Sequence, residues 1–336
     1  MATILVAMLL ICGTPVLAQA SLPSVYIGGQ SIGVLLPTEG VTIVGISPVI
    51  EENGISTNPA EDSGLMVGDF ITSINGVCVQ TNAQISEVIE QAGKLGTSCK
   101  VEYQRNGIPH HTEIIPHFCT ESQSWRIGLY VRDNTAGVGT LTFWDSQSLL
   151  FGALGHTISD MNTSLAPDNT GTVIRASIRS IRIGTKGSPG EKLGVFVEEG
   201  WQGDIRTNGR FGIYGTIENL PNEGCEFLPI AETSEIEDGA AEVYTVIEDE
   251  TIEKFSVRVT AIANELTLGR TGMIVEITDE TLLSRTGGIV QGMIGSPIVQ
   301  NGKLIGAISH VFVNDPTSGY ACYAQQMYEE AIKSIQ

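Results

Sequence analysis

The sequence predicts a mainly β protein assembled from short antiparallel strands, and three observations carry that prediction. Apolar residues make up 42% of the 336-residue chain, Val and Ile are prominent among them, and there are 39 glycines. That mixture favours strands interrupted by turns. From Trp125 onward short apolar runs recur between glycines and polar turns, at 127–131, 139–144, 149–154, 241–247, 256–262 and 273–277. In Ile174-Arg175-Ala176-Ser177-Ile178-Arg179 the alternation is strict, with apolar side chains on one face and polar or charged ones on the other. Many short strands with Gly and Asn turns indicate a barrel or a sandwich rather than a parallel sheet. The length is that of two or three domains.

The chain opens with an apolar run over residues 4–17 that closes on Ala18-Gln19-Ala20, a small-x-small cleavage signature. The run falls short of the roughly 20 apolar residues of a membrane span, and no Lys or Arg precedes it. Residues 1–20 are expected to be a signal peptide, or a signal anchor giving membrane association, and the remainder to be exported. Eighteen Lys and Arg against 38 Asp and Glu give a net charge of −20. A surface of that sign repels phosphate, which excludes nucleic acid and anionic lipid surfaces as partners. After Cys12, the cysteines Cys78, Cys99, Cys119, Cys225 and Cys322 share no CxxC spacing, which excludes a zinc ribbon. Buried free thiols are preferred to a Cys78–Cys99 bridge.

A first domain is expected over 21–118. Its apolar stretches 32–36 and 41–46 precede Gly64-Leu65-Met66-Val67-Gly68-Asp69-Phe70-Ile71-Thr72-Ser73-Ile74-Asn75-Gly76. Thr81-Asn82-Ala83-Gln84 reads as a capping box. Ile85, Val88, Ile89 and Ala92 then mark one face of a helix that Gly93 is expected to stop. Asn106-Gly107 predicts a hairpin turn. His110, His111 and His117 follow it, without the thiolate or carboxylate spacing of a metal centre, so no metal is expected. The order of these segments resembles a PDZ domain. The resemblance implies a groove beside the helix, lined by Ile85 and Ile89, in which a peptide adds as a strand and its carboxylate meets N–H groups at Ile32, Gly33 and Val34.

A second domain is expected over 119–336, in two halves of about 125–235 and 236–336, with a helix at 325–335. Two groups in it could carry chemistry: Gly155-His156 at the end of an apolar run, and Thr278-Asp279, which alone reads as a helix cap. Beyond them comes the turn Thr286-Gly287-Gly288-Ile289-Val290-Gln291-Gly292-Met293-Ile294-Gly295-Ser296-Pro297. Chymotrypsin-like peptidases present their nucleophile in Gly-x-Ser-Gly-x-Pro, and they share the order His, Asp, Ser.

Gly155-His156, Thr278-Asp279-x-x-Leu282-Leu283, the turn, and the run Gly306–Gly319 including Ser309-His310-Val311 resemble the stage IV sporulation protein B peptidase family. The resemblance covers nearly the whole chain. It implies a PDZ domain followed by a chymotrypsin-like double β-barrel, and a serine endopeptidase of endospore-forming bacteria. Such an enzyme acts between the forespore and mother-cell membranes and cuts a partner, which leads to release of a late sigma factor. No cofactor is implied, and the partner is a protein or peptide, including the protein's own chain. By position, His156 is the general base, Asp279 orients it, and the N–H groups of Gly292 and Ile294 form the oxyanion site. The nucleophile's place is filled by Ile294, whose alkyl side chain attacks nothing. Ser296, the candidate substitute, has its Cα roughly 6–7 Å further along an extended chain. The two resulting expectations are a signalling endopeptidase working through another hydroxyl, and an inactive relative that binds peptides.

Overall fold

The computed structural model describes residues 22–52, 54–158, 171–220, 224–263 and 272–334; residues 1–20, expected to be a signal peptide or anchor, lie outside these. Strand runs through most of them. Two six-stranded rings and a smaller N-terminal sheet account for the architecture.

The first ring closes through strand Ser31–Ile46, which pairs with Leu129–Trp144 on one side and Gly171–Arg182 on the other. Leu150–Ala153, Gly212–Ile217 and Glu191–Gly209 complete the circuit. Its interior is filled by Ile32, Val34, Leu36, Leu141, Phe151, Val173, Ile205 and Ile213. In Gly171–Arg182 the expected alternation holds only in part: Ile174, Ala176 and Ile178 are buried and Arg179 is exposed, but Ser177 is also buried, because both faces of this strand are covered. The second ring is a closed barrel of Gly239–Val246, Ile252–Ala263, Gly272–Ile277, Asp315–Tyr323, Lys303–Phe312 and Pro297–Gln300. The C-terminal helix Ala324–Lys333 buries Ala324, Met327 and Ala331 in a core drawn from both rings, with Phe143, Tyr214, Leu304 and Ala307.

Strand Ser31–Ile46 is long enough to leave the first ring and become part of the N-terminal sheet, where Val41 pairs with Ile71. Phe70–Ile74, Cys99–Arg105 and Ile108–Ile114 follow in that sheet, the last two joined at Asn106-Gly107, both with positive φ as a tight hairpin requires. Helix Asn82–Leu95 covers the sheet with Ile85, Ile89 and Ala92. Its capping box is present: Thr81 accepts from Gln84 N–H, and the Gln84 side chain accepts from Thr81 N–H. Cys78, Cys99, Cys119 and Cys322 form no disulfide among the described residues.

Two expectations change. Residues 24–36 belong to the first ring and not to the N-terminal domain, because their ladder partners lie at 129–144 and 171–175. Gly93 does not stop its helix, which runs to Leu95 and ends on Gly96 in the left-handed conformation. Gly93 is there for space: a Cβ on it would lie 2.2 Å from the Trp125 ring. Gly93→Ala, ordinarily stabilising in a helix by about 1 kcal/mol, is therefore expected to destabilise by about 1–3 kcal/mol in urea unfolding. Adding Trp125→Ala should remove that clash, so that the two effects are strongly non-additive.

Candidate functional site

The His156 loop and the glycine turn meet where the rings adjoin. Strand Leu150–Ala153 ends in Leu154 and Gly155, with φ of +73° and +70°. A leucine in the left-handed region is strained. Here it turns the chain toward the second barrel, where a Cβ on Gly155 would lie 3.1 Å from Cys322 Sγ and from Ile308 O. Opposite, Gly295 N–H donates to Ile308 O at 2.8 Å, and a Cβ on Gly295 would be 2.1 Å from Thr140 O and 2.6 Å from Leu154 N. Only glycine permits this approach of the turn to the loop.

His156 is partly exposed, and its Nδ1–H donates to Thr157 O at 2.7 Å, which makes Nε2 the basic nitrogen of the neutral ring. The loop is clamped by residues the sequence did not single out. Asn208 accepts from Ile158 N–H at 2.9 Å and donates to Ile158 O at 2.7 Å, and Thr157 Oγ1 donates to Gly209 O at 2.6 Å. The ring of His310 lies beside that of His156, 5.1 Å between centroids. Nδ1 of His310 donates to Ser309 Oγ at 3.1 Å, since that hydroxyl spends its own proton on Tyr320 O. His310 lies in the run Ser309-His310-Val311 of the family resemblance, which implies no role for it.

Asp279 is not brought to His156. Its carboxylate caps helix Glu280–Thr286, with Oδ1 accepting from Leu282 N–H at 3.0 Å and Oδ2 from Ser256 N–H at 3.4 Å. Along its strand it lies past Ile277, whereas His310 is level with Tyr320 and hence with Ile274. Five residues of extended chain separate the two levels by roughly 16 Å. The order of residues in the chain matched a triad, and the ladder register undoes the match.

The turn itself has an ordered logic. Gln291 O accepts from Lys192 N–H and Met293 O from Ser296 N–H, at 2.8 and 2.9 Å. In a trans peptide the following N–H points the opposite way, so those of Gly292 and Ile294 are turned from these anchors. Neither has an acceptor among the described residues. Between them, Met293 N–H is taken by Val290 O. Gly292 O and Gly295 O are held by Thr140 Oγ1 and Thr142 Oγ1, each at 2.7 Å. Two unsatisfied donors two residues apart are of the kind that suits a polarised carbonyl or an oxyanion.

Ile294 is half-buried against the second-barrel core. Ser296 is 0% exposed, and its hydroxyl donates to Thr245 Oγ1 at 3.0 Å, inside the interface between the rings. That bond occupies the hydroxyl expected as the substitute nucleophile. Cys322, beneath the loop, is held as a thiol: burial pushes it up to about 12, and it donates to Ala307 O. Among the described residues no group of three or more His, Cys, Asp or Glu could hold a metal.

The strand edge that a peptide was expected to join is paired by the chain itself, although a cavity remains beside the helix. Ile32, Gly33 and Val34 are paired on both edges within the first ring, so they offer nothing to a carboxylate. Ile85 and Ile89 share an apolar cluster with Ile127, Leu129 and Val131 and line a cavity with them, while Leu129–Arg132 pair with Thr42–Ile46 and Trp125 N–H donates to Glu90 Oε2 at 2.9 Å. The unpartnered strand edge that β-addition needs is taken.

The family model for the SpoIVB peptidase S55 domain matches residues 123–328, and that for the PDZ domain residues 40–115. No curated protein matches the chain. Similar solved structures include a thermostable serine protease from an extremophilic microorganism, 14% identical, covering 60% of this chain and 92% of that chain at a TM-score of 0.36. A protease from M. tuberculosis in its active form is 13% identical, over 60% of this chain and 74% of that chain, with a TM-score of 0.33. Human heparin binding protein is 13% identical, over 58% and 83%, with a TM-score of 0.34.

One further group lies beneath the turn. Lys192 is 1% exposed, and burial pulls its amine from 10.5 down to about 7. Between those pH values folding expels its proton, so stability rises with pH across that window and is lowest below pH 7. Lys192→Met should therefore stabilise the fold at pH 7 by on the order of 2–4 kcal/mol, allowing for the lost bond to Thr245. It should also flatten the rise between pH 7 and 10, as read by denaturant unfolding across that range.

Proposed function

Because the chain belongs to the SpoIVB peptidase S55 family, we propose that it is a member whose peptidase frame binds protein or peptide without cutting it. The observation that carries this reading is the turn: Ile294 stands at its apex, and the neighbouring hydroxyl of Ser296 is buried and hydrogen-bonded into the interior. A peptide carbonyl meets two N–H donors there and no nucleophile. His156 retains the tautomer of a general base, which supports descent from a working site and is the feature favouring the alternative, an endopeptidase that acquires its hydroxyl elsewhere. By family, the binding event belongs to sporulation signalling in the space between forespore and mother cell, upstream of processing of a late sigma factor. Export there is supported by the apolar run at 4–17.

Labelling with a fluorophosphonate probe tests the proposal. The protein as it stands should not label, Ile294→Ser should, and His156→Ala added to Ile294→Ser should abolish the gain. Labelling of the unaltered protein that disappears in Ser296→Ala would sink the proposal in favour of an active enzyme with a displaced nucleophile. Asp279→Ala should leave labelling of the Ile294→Ser protein within about threefold while costing about 1 kcal/mol of stability through the helix cap.

A further inference from the structure

Lys192 is the described lysine whose amine is buried, and its single hydrogen bond goes to a hydroxyl, not a carboxylate. It opens strand Glu191–Gly209 of the first ring, and Nζ crosses to Thr245 Oγ1 of the second barrel at 2.8 Å. An apolar side chain of the same length fills that space without the cost of a desolvated amine, so packing alone does not account for it.

We propose that Lys192 is a positioning residue that aims the two unpartnered N–H groups of the 292–296 turn. The inference rests on reading that turn as the carbonyl-receiving centre, and two routes support it. By its main chain, Lys192 N–H fixes Gln291 O at 2.8 Å, and Gln291 N–H in turn fixes to Gly190 O at 2.8 Å, so the 291–292 peptide is pinned to the start of the strand. By its side chain, it supports Gly292 from below: a Cβ on that glycine would lie 2.9–3.1 Å from Lys192 Cβ, Cγ and Cδ. Gly292 has φ of +91° and rests directly on the stem.

The amine then acts at the far side of the turn. Thr245 Oγ1 receives both Lys192 Nζ and Ser296 Oγ. Ser296 is thereby held in place, and its N–H fixes Met293 O, which sets the direction of Ile294 N–H. Ser296 Oγ also lies 3.5 Å from Thr140 Oγ1, the hydroxyl that holds Gly292 O. Lys192, Thr245, Ser296 and Thr140 are each buried. With no water to substitute, loss of one member leaves the others to rearrange. The Lys192 side chain thus touches Gly292 directly and Ile294 through two hydroxyls.

The test uses full-length protein in two forms. In the Ile294→Ser protein, Lys192→Met should slow fluorophosphonate acylation by roughly ten- to a hundredfold. Its thermal midpoint should not fall. Thr245→Val should act similarly, and the double substitution no more than the larger single one. In the protein bearing Ile294, the amide resonances of Gly292 and Ile294 should move on Lys192→Met and stay still on Lys186→Met, an exposed control. Unchanged acylation, or a loss of acylation matched by loss of folded protein, would overturn the assignment, as would unmoved amide signals. Should Ile294→Ser fail to acylate at all, the proposed function falls, and the amide signals alone decide the role of Lys192.

Discussion

A barrel has no free edge, and in this protein the last edge of the first ring is removed by strand Ser31–Ile46. That strand precedes the N-terminal sheet in sequence and is recruited back by pairing with Leu129–Trp144 and Gly171–Arg182. Everything that follows depends on this closure. Thr140 and Thr142, which hold two carbonyls of the glycine turn, sit on the strand that Ser31–Ile46 fixes from behind. The same long strand continues into the N-terminal sheet, so the two bodies share backbone and not only a linker.

At the junction of the rings the protein uses buried polar groups sparingly and in linked sets. Threonine hydroxyls from the first ring reach carbonyls of the turn, while a lysine from that ring reaches a threonine of the second. Each bond is worth little in net terms, but each is costly to leave unmade where water is excluded. The result is a turn whose inward carbonyls are all satisfied and whose two remaining donors have a defined direction.

What the sequence revealed was local. The capping box at Thr81, the Asn106-Gly107 hairpin and the alternating strand at 174–179 each depend on residues a few positions apart, and each was readable. The turn at 292–297 was readable for the same reason, since its glycines are demanded by close approach within the segment and to its immediate neighbours. Ile32, Gly33 and Val34 were misplaced because their partners lie more than a hundred residues away, and apolar alternation does not say which strand will be adjacent. Asp279 was misplaced because chain order carries no information about height on a barrel wall. Lys192 left no trace at all: in Glu191-Lys192-Leu193 it looks like a surface charge, and only the fold shows it beneath Gly292.

The segment that takes the strand edge of the N-terminal domain is not a separate plug. Leu129–Arg132, lying on Thr42–Ile46, and Thr140–Thr142, gripping the glycine turn, belong to one strand, Leu129–Trp144, whose pairing is irregular at Tyr130/Val131 and Arg132/Asn134. A strand bends where its ladder is irregular. One length of chain therefore closes the edge of one domain and holds the turn of the other, with its points of bending between the two tasks.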